Sequence, residues 1–354
     1  MNYDQRMIRI CNSLVSGEYT IFLVGKSYRR SLPLSEKSFN QHRLYCYFKK
    51  GKMAYIEFNF KLFCYLLFQR ADCLCAIDLD TIFPVLFVST IKRCKRIYDA
   101  HELFTEMKEI ISRPAIKRIW NWVERNAVPY FKSGYTVSES IAQGFLKKYK
   151  VDYEVIRNMP KINAGKAPVT SSEKIILYQG AVNYGRCLEY LIPAMKEVPA
   201  RLLICGDGNF MNQCRQLVIQ HQLSEKIIFK GMLLPEELNK ITCSSYIGIN
   251  LVEPYGLNQL YSLANKFFDY IHAALPQLTM DFVEYARINK EYKVAVLIPE
   301  PLPGLIASAL NLLLENDVLY KELKENCIKA REIYNWQREE QILFRFYDKI
   351  FLND

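Results

Sequence analysis

Short apolar runs alternate with helix-spaced apolar positions along this chain of 354 residues. In the first half, Ile21–Gly25 and Cys73–Ile77 are apolar runs of the kind that form buried parallel strands. In the second half, the run Arg201–Cys205 is followed by a helical pattern from Phe210 to Gln222. Strands that alternate with helices in this way predict an α/β fold built on doubly wound parallel sheets.

An aperiodic stretch divides the chain into two parts. Met159–Ser172 is rich in Pro, Lys, Ala, Gly and Ser, and we predict that it links two domains. The length agrees, since a domain takes roughly 150 residues. The charge also changes sign here, because residues 1–166 carry 28 Lys/Arg against 15 Asp/Glu and residues 167–354 carry 19 against 22. The first domain is therefore expected to face an anionic substrate or surface.

The positive charge of the first domain suggests the kind of partner. Its basic residues are dispersed and no nucleic-acid motif accompanies them, so nucleic acid is not the expected partner. An anionic membrane leaflet attracts dispersed Lys and Arg equally well. We therefore expect peripheral contact with the inner face of a membrane.

The cysteines argue against two common frameworks. The 11 Cys are odd in number and scattered, and no Cys-x-x-Cys occurs, which speaks against a zinc site and a disulfide scaffold. They indicate a reducing compartment. The chain has no run of 18 apolar residues, and its first residues lack the apolar segment of a secretory signal. We expect a cytoplasmic protein.

The most informative stretch is Tyr261–Pro276, which predicts a helix entered from a loop and stopped before proline. Lys266 and Asp269 are three residues apart and share one helical face, with Asn265 beside them. A cation, an amide and a carboxylate near a helix start suit a phosphate group and a sugar diol. The alternative is an ordinary amphipathic helix whose charged face is solvated.

Two glycine-containing turns join predicted strands to helices in the second half. The segment Gly206–Gly208 follows one strand, and two glycines allow a phosphate or ribose to approach the backbone. It is not a complete dinucleotide fingerprint, because Met211 stands where a third glycine would be. The other turn starts at Gly180 and ends on Arg186, which is suited to bidentate binding of a diphosphate. Both are also compatible with plain surface turns.

Polar side chains follow two predicted strands of the first half. Asp78 and Asp80 come directly after one strand, and His101 and Glu102 come after another. In open α/β sheets the carboxyl ends of the strands are where ligands bind. His101 is one of four histidines, and it is either structural or part of a site.

These residues lie in segments that together resemble a known family. The segments are Tyr178-Gln-Gly180 with Arg186, Cys205–Gly208, Phe229-Lys-Gly231, Ala264–Pro276, Asp78-Leu-Asp80, Tyr98–Glu102 and Tyr334-Asn-Trp336. In this order and spacing the chain resembles the retaining GT-B glycosyltransferases of family 4, or glycosyl transferases group 1. The resemblance covers nearly the whole chain.

The resemblance implies a GT-B fold with two Rossmann-like, doubly wound parallel-sheet domains facing a cleft. Residues 1–162 would be the acceptor-side domain, residues 163–335 the nucleotide-sugar domain, and residues 336–354 a helix crossing back to the first. The implied reaction moves a sugar from a nucleotide-diphosphate sugar to an acceptor hydroxyl with retention. It would belong to cell-surface or lipid-linked polysaccharide synthesis, on a glycan or lipid-linked acceptor, and would need no metal or other cofactor.

The resemblance also assigns roles by matched position. Catalytic roles would fall to His101, Arg186 and Lys266. Donor binding would fall to Gly180, Arg186, Gly206, Asp207, Gly208, Gly231, Met232, Asn265, Lys266 and Asp269, and the acceptor side to Asp78, Asp80 and Glu102.

Two departures from the family pattern keep other functions open. The family carries two Glu separated by seven residues; Asp269 matches the second, Tyr261 stands at the first, and Glu253 lies eight residues too early. The family also begins with a strand and a glycine-bearing loop, whereas this chain enters after that strand, near Asp4-Gln-Arg6. A catalytically inactive homologue acting as a binding partner is the main alternative. A GT-B-like sugar-nucleotide epimerase would need a carboxylate set that the sequence does not clearly provide.

Overall fold

The computed structural model describes residues 4–162 and 173–352. The chain divides into two compact units, one of residues 1–158 with 338–354 and one of residues 159–337. Most of the predicted linker, from residue 163 to Ser172, lies outside the described residues. Within the described part, no helix is both long and apolar enough to cross a membrane.

The first unit contains six strands and six helices ahead of the linker, in residues 4–158. They are α1 (Gln5–Ser16), β1 (Phe22–Ser27), β2 (Asn40–Tyr45), α2 (Lys52–Phe68), β3 (Cys73–Ile77), α3 (Ile82–Lys92), β4 (Lys95–Ala100), α4 (Lys108–Ile111), α5 (Pro114–Ala127), β5 (Ser133–Thr136), α6 (Glu139–Tyr149) and β6 (Glu154–Val155). Strands β3, β4, β5 and β6 pair in this order as a parallel sheet. The predicted alternation of strands and helices is confirmed.

The strands of the first unit form two sheets instead of one. β1 pairs in parallel with β2, and among the described residues neither strand pairs with β3. The apolar side chains of α1 and β1 still reach the main sheet, because Met7, Cys11 and Leu23 cluster with Ile77 at the end of β3. Side-chain packing, and not a backbone ladder, therefore connects the two sheets.

The second unit has one parallel sheet with helices between its strands. Its elements are β7 (Ile175–Gln179), α7 (Leu188–Ala194), β8 (Arg201–Cys205), α8 (Met211–Gln220), β9 (Ile227–Gly231), α9 (Pro235–Ser244), β10 (Ile247–Asn250), α10 (Leu257–Leu260), α11 (Asn265–His272), β11 (Gln277–Met280), α12 (Val283–Tyr292), β12 (Ala295–Ile298), α13 (Pro303–Glu315) and α14 (Asp317–Arg331). The sheet order is β12-β11-β10-β7-β8-β9. The direction of winding reverses between β7 and β10, and such a switch point is where open α/β sheets bind ligands.

Helix α11 is fixed against this sheet by one buried tyrosine. A Cβ atom on Gly248 of β10 would lie 2.6 Å from the ring of Tyr270, so only glycine leaves room for that ring. The Tyr270 hydroxyl contacts the carbonyls of Leu177 and Ile249 at 3.3 and 3.2 Å, beside the switch point. Because Tyr270 is held on the strands, the first turn of α11 has a defined place at their carboxyl ends.

The last helix, α15 (Trp336–Leu352), starts in the second unit. Its first residue, Trp336, is fully buried, and its backbone amide donates to the carbonyl of Pro160 at 2.9 Å. From Arg338 onward the helix belongs to the first unit, where Glu339 accepts a hydrogen bond from the amide of Arg157 at 2.7 Å.

Candidate functional site

The carboxyl ends of three neighbouring strands in the second unit are joined by their loops. The Gly180 amide donates to the Cys205 carbonyl at 2.9 Å, and the Gly206 amide donates to the Gly231 carbonyl at 2.8 Å. A Cβ atom on Gly206 would fall 1.8 Å from the Gly180 carbonyl oxygen. Glycine is therefore needed at position 206 for the two loops to contact each other. This need exists whether or not a ligand also approaches the backbone there.

The rest of this turn is also occupied by internal contacts. A Cβ atom on Gly208 would lie 2.2 Å from the Val182 carbonyl oxygen. The Asp207 side chain accepts from the amide of Gly208 at 2.8 Å, and the Asn183 side chain accepts from the amide of Asn209 at 3.0 Å. Sequence reasoning did not identify Asn183, whose only signal is its place in a loop after a strand. The backbone that a ligand would meet is thus rigidly set.

Lys266 lies over this arrangement with its ammonium group buried. Its Nζ atom is 4.1 Å from the centre of the Tyr178 ring, and the side chain passes above Gly180. The Nζ atom makes no hydrogen bond with any described residue. Burial, followed by the charge of Arg186, lowers the pKa of Lys266 to about 7. A buried cation without a partner is costly unless an anion binds beside it.

Arg186 is a second cation next to Lys266. It is half-buried at the end of the turn that starts at Gly180, and no carboxylate of the described residues pairs with it. Helix α11 starts nearby, and its N-cap, Ala264, provides no side-chain cap for the first backbone amides. Asn265 is exposed on the first turn of that helix. Two cations and a helix start are the groups that suit a multiply charged anion.

A chain of three side chains fixes the carboxylate of Asp269. The Gln179 amide donates to Asp269 Oδ2 at 2.9 Å, and the Thr242 hydroxyl donates to Gln179 Oε1 at 2.8 Å. Gln179 and Thr242 are both buried. Sequence reasoning placed Asp269 in the site and missed these two supports, although a glutamine at the end of an apolar strand was a usable signal.

The remaining second-unit candidates lie at the edge of this region. Gly231 ends β9 with a φ of +68°, and nothing lies within 4 Å of where its Cβ would be. Met232 is 74% exposed. The amide of Glu253 donates to the Gly185 carbonyl at 3.0 Å, so this glutamate lies beside the Arg186 turn. Tyr261, the residue that aligns with the first family glutamate, follows the short helix α10.

In the first unit, both imidazole nitrogens of His101 face carboxylates. Nε2 is 3.0 Å from Asp99 Oδ2, and Nδ1 is 3.4 Å from Asp78 Oδ2. The His101 amide also donates to Asp78 Oδ1 at 2.9 Å. Burial alone would lower the pKa of His101, but Asp99 and Asp78 outweigh it and the pKa is raised. The two carboxylates therefore favour the charged form of the imidazole.

A buried arginine from α1 completes this cluster. Arg6 donates to Asp99 Oδ1 at 2.8 Å and to the Ile156 carbonyl at 2.7 Å. Burial would raise the pKa of Asp99, but Arg6 and His101 hold it below its ordinary value. Burial raises the pKa of Asp78 to about 7, although His101 opposes this shift. Sequence reasoning missed Arg6, because nothing in the pattern shows an arginine to be buried.

The other acceptor-side candidates are less enclosed. Asp80 forms an ion pair with Lys26 at 3.4 Å, and its side chain is about a quarter exposed. Glu102 is half-buried next to His101. The structure thus brings His101, Asp78 and Asp99 together in one unit, and Lys266, Arg186 and Asp269 together in the other. Among the residues described, no group of acidic, His and Cys side chains is arranged to hold a metal ion.

The sequence of the second unit matches a family model. Residues 161–331 match the model of glycosyl transferases group 1, which covers nearly all of that unit. Over these residues the second unit is similar in sequence to glycosyl transferases group 1. The side chains around Lys266 and Asp269 lie within the matched residues.

Two curated relatives match shorter stretches. An uncharacterized glycosyltransferase of Methanocaldococcus jannaschii is 30% identical over 102 residues, which is 27% of this chain and 26% of that protein. The alpha-monoglucosyldiacylglycerol synthase of Streptococcus pneumoniae is 25% identical over 107 residues, which is 28% of this chain and 24% of that protein. The matched stretches thus span about a quarter of each relative's length.

Solved structures match nearly the whole chain. The sucrose-phosphate synthase from Thermosynechococcus elongatus has a TM-score of 0.76 at 15% identity, covering 98% of this chain and 92% of that one. Anabaena HepE in complex with UDP and glucose has a TM-score of 0.75 at 10% identity, covering 98% and 96%. At such identities the likeness shows the fold, and the predicted GT-B fold is confirmed.

Proposed function

We propose that the protein is a glycosyltransferase that moves a sugar from a nucleotide-diphosphate sugar to an acceptor hydroxyl with retention of configuration. The observation that carries the proposal is the pair of cations, Lys266 and Arg186, that lie without carboxylate partners at the sheet edge of the unit that is similar to glycosyl transferases group 1. A bound diphosphate would supply the negative charges that pair with these two cations.

The same cations serve the chemical step. The bond between the sugar and the diphosphate breaks and the acceptor oxygen bonds to the sugar, giving up its proton to the departing diphosphate, on which negative charge collects. Lys266 and Arg186 neutralise it from positions fixed in advance, and loss of one such group commonly costs about 10²–10³ in rate. With a pKa of about 7, Lys266 takes up a proton when the diphosphate binds.

The neighbouring residues would orient the donor. Asp269, which accepts a hydrogen bond from Gln179, would accept hydrogen bonds from the ribose hydroxyls. Gly231 and Met232 would line the base, and Asn265 would contact the diphosphate or the sugar. No metal or other cofactor takes part in this proposal.

The first unit would present the acceptor. Its positive charge suits a glycan or lipid-linked acceptor that carries phosphate, and His101 would meet the donor sugar while Asp78, Asp80 and Glu102 would serve the acceptor side. The name of the Streptococcus pneumoniae relative supports a lipid acceptor, and the UDP in the Anabaena complex supports UDP as the carrier. We infer cytoplasmic action in polysaccharide or glycolipid synthesis, peripheral to a membrane.

A second candidate is a homologue that binds nucleotide sugars without transferring the sugar. It is favoured by Tyr261, which stands where the family has its first glutamate. The position of Glu253 favours activity instead, because its backbone amide bonds to the Gly185 carbonyl and so keeps a glutamate beside the Arg186 turn.

A nucleotide-sugar screen tests both candidates. Ligands that bind only the native state raise the melting temperature, so UDP, GDP or ADP should raise it and the matching nucleotide sugar should be transferred or hydrolysed. Arg186→Ala and Lys266→Ala should each lower turnover at least about a hundredfold. Lys240→Ala, which changes an exposed lysine of α9, is the control. Binding without turnover would select the inactive homologue, and no response to any nucleotide would refute both.

A further inference from the structure

The turn that ends on Arg186 presents a tyrosine ring that is exposed and yet fixed. Tyr184 is 55% exposed, and its ring lies 4.6 Å from that of the buried Phe210. Its hydroxyl accepts a hydrogen bond from Gln213 Nε2 at 2.8 Å, and its amide donates to Asn209 Oδ1 at 3.1 Å. Because a ring held in this way loses little conformational entropy when a ligand binds, it is typical of recognition surfaces.

The backbone that carries this ring is fixed as well. The amide of Val182 donates to the Asp207 carbonyl at 3.0 Å, and the carbonyl of Val182 accepts from the Phe210 amide at 2.9 Å, which connects the turn to the start of α8. In addition, the Gly185 carbonyl accepts from the Glu253 amide at 3.0 Å. The position of the ring is therefore set by the backbone of the turn and by the contacts of the ring itself.

Three carboxamide side chains neighbour Tyr184, and their contacts determine which of their atoms stay free. The Asn183 oxygen accepts from the Asn209 amide at 3.0 Å, and the Asn209 oxygen accepts from the Tyr184 amide. Both asparagines keep their Nδ2 groups, neither of which makes a hydrogen bond with a described residue. The Tyr184 hydroxyl accepts from Gln213 and retains its own proton. These four residues, which we call the Tyr184 cluster, thus offer unused N–H and O–H donors beside a fixed ring.

The chemistry of the Tyr184 cluster is complementary to a pyranose ring. The C–H groups on one face of a pyranose pack on the face of an aromatic ring, and its hydroxyl oxygens accept hydrogen bonds from carboxamide and phenol donors. The side chains of the cluster are one tyrosine, two asparagines and one glutamine, and none of them is charged. They therefore suit a neutral sugar better than a phosphate group.

We propose that the Tyr184 cluster binds the ring of a neutral sugar, which is either the sugar of the donor or a sugar of the acceptor. The cluster belongs to the same turn as Arg186, whose amide donates to the Asn183 carbonyl at 3.3 Å. A sugar held there lies beside the cation that would bind the diphosphate. This inference rests on the proposed function and adds to it a sugar subsite, with Tyr184 as a specificity-determining residue.

Two binding measurements with the full chain distinguish the two sources of the sugar. Saturation-transfer NMR with the neutral methyl glycosides of glucose, galactose, mannose and N-acetylglucosamine reports on an acceptor sugar. Calorimetry with UDP-glucose, UDP-N-acetylglucosamine, GDP-mannose and ADP-glucose, each compared with its nucleoside diphosphate alone, reports on the sugar of the donor. At least one of these sugars should bind more weakly when the Tyr184 ring is removed. If none does, the proposal is overturned.

Tyr184→Ala removes the ring and should weaken binding of the responding sugar at least about fivefold, while the affinity for the nucleoside diphosphate alone stays unchanged. Tyr184→Phe keeps the ring and should retain most of the binding. Tyr130→Ala, which removes an exposed ring of the first unit, is the control. Equal losses for the sugar and for the nucleoside diphosphate in Tyr184→Ala would show that the side chain only supports the turn, and would overturn the proposal.

Asn209→Asp tests the carboxamide donors. It keeps the oxygen that accepts from the Tyr184 amide and replaces the Nδ2 donor by an acceptor oxygen, so the responding sugar should bind about three- to tenfold more weakly. Asn212→Asp adds the same charge at an exposed position of α8 and should bind the sugar normally. Equal sugar affinities in the two variants would contradict the assignment. If the wild type binds no nucleotide, the proposed function fails, whereas the methyl glycosides still measure the Tyr184 cluster.

Discussion

Replacing Lys266 by methionine should make the protein more stable while abolishing nucleotide binding. Methionine is also unbranched but one atom shorter than lysine, and its thioether packs well on an aromatic ring such as that of Tyr178, which the Lys266 ammonium contacts in the wild type. What it loses is a buried charge with no partner among the described residues. The usual expectation, that a site mutation is neutral or destabilising, is thus reversed for a physical reason.

The size of the effect follows from the pKa of Lys266, which falls from 10.5 to about 7 on folding. One pKa unit corresponds to about 1.4 kcal/mol, so the buried charge costs on the order of 4 kcal/mol at pH 7. Between pH 7 and 10.5 the unfolded chain holds more protons than the folded one, so the wild type gains stability as pH rises. The advantage of Lys266→Met should therefore be about 2–4 kcal/mol at pH 7 and should vanish near pH 10.5.

Calorimetry of the wild type and of Lys266→Met from pH 6 to pH 10.5 measures this difference, with exposed Lys240→Met as the control. At neutral pH the transition of the second unit should rise by about 5–15 °C in Lys266→Met. The nucleoside diphosphate that stabilises the wild type should leave this variant unchanged. A stability gain that does not depend on pH, or a loss of stability in Lys266→Met, would show that Lys266 is not the buried unpaired cation described above.

Three further outcomes are expected. Gly206→Ala should cost at least about 3 kcal/mol of stability, because its Cβ would lie 1.8 Å from a carbonyl oxygen and its φ is +148°. The control is Gly304→Ala, in the first turn of α13, where nothing lies within 4 Å of the new Cβ. Denaturant titration should show that this control is neutral or stabilising. Asp99→Asn should lower the pKa of His101, as measured by NMR titration, because Asp99 raises that pKa in the wild type. It should also cost about 3–5 kcal/mol of stability, because it breaks the buried ion pair with Arg6. An unchanged His101 pKa would contradict the contact between His101 and Asp99. Thr242→Val removes the hydrogen bond to Gln179 and should raise the donor KM about two- to tenfold with little change in kcat. An equally large fall in kcat would mean that Thr242 does more than position Gln179 and Asp269.

The hydrophobic pattern determined the elements and their order. The run Cys73–Ile77 was predicted as a strand with these bounds, because a short apolar run followed by polar residues is typical of a buried strand. Arg201–Cys205 was likewise found as predicted, and the apolar side of α11 is buried as its helical spacing requires. Periodicity and glycine-containing turns are local properties, so one sequence suffices to reveal them and, through their order, the doubly wound α/β class. The GT-B fold was expected only from the resemblance of several segments to a known family.

The electrostatics of the candidate site were decided only by the tertiary structure. Nothing in the sequence shows that the ammonium group of Lys266 is buried, with a pKa that falls to about 7, or that Arg6 is buried against Asp99. The pairing of strands was also hidden, since the separate β1–β2 sheet depends on which backbone groups meet in space. Charge and hydrogen bonding depend on distance and burial, which arise when segments far apart in the chain pack together. The sequence by itself therefore determined the elements and where along the chain the chemistry lies, and folding determined which of those groups carry an unbalanced charge.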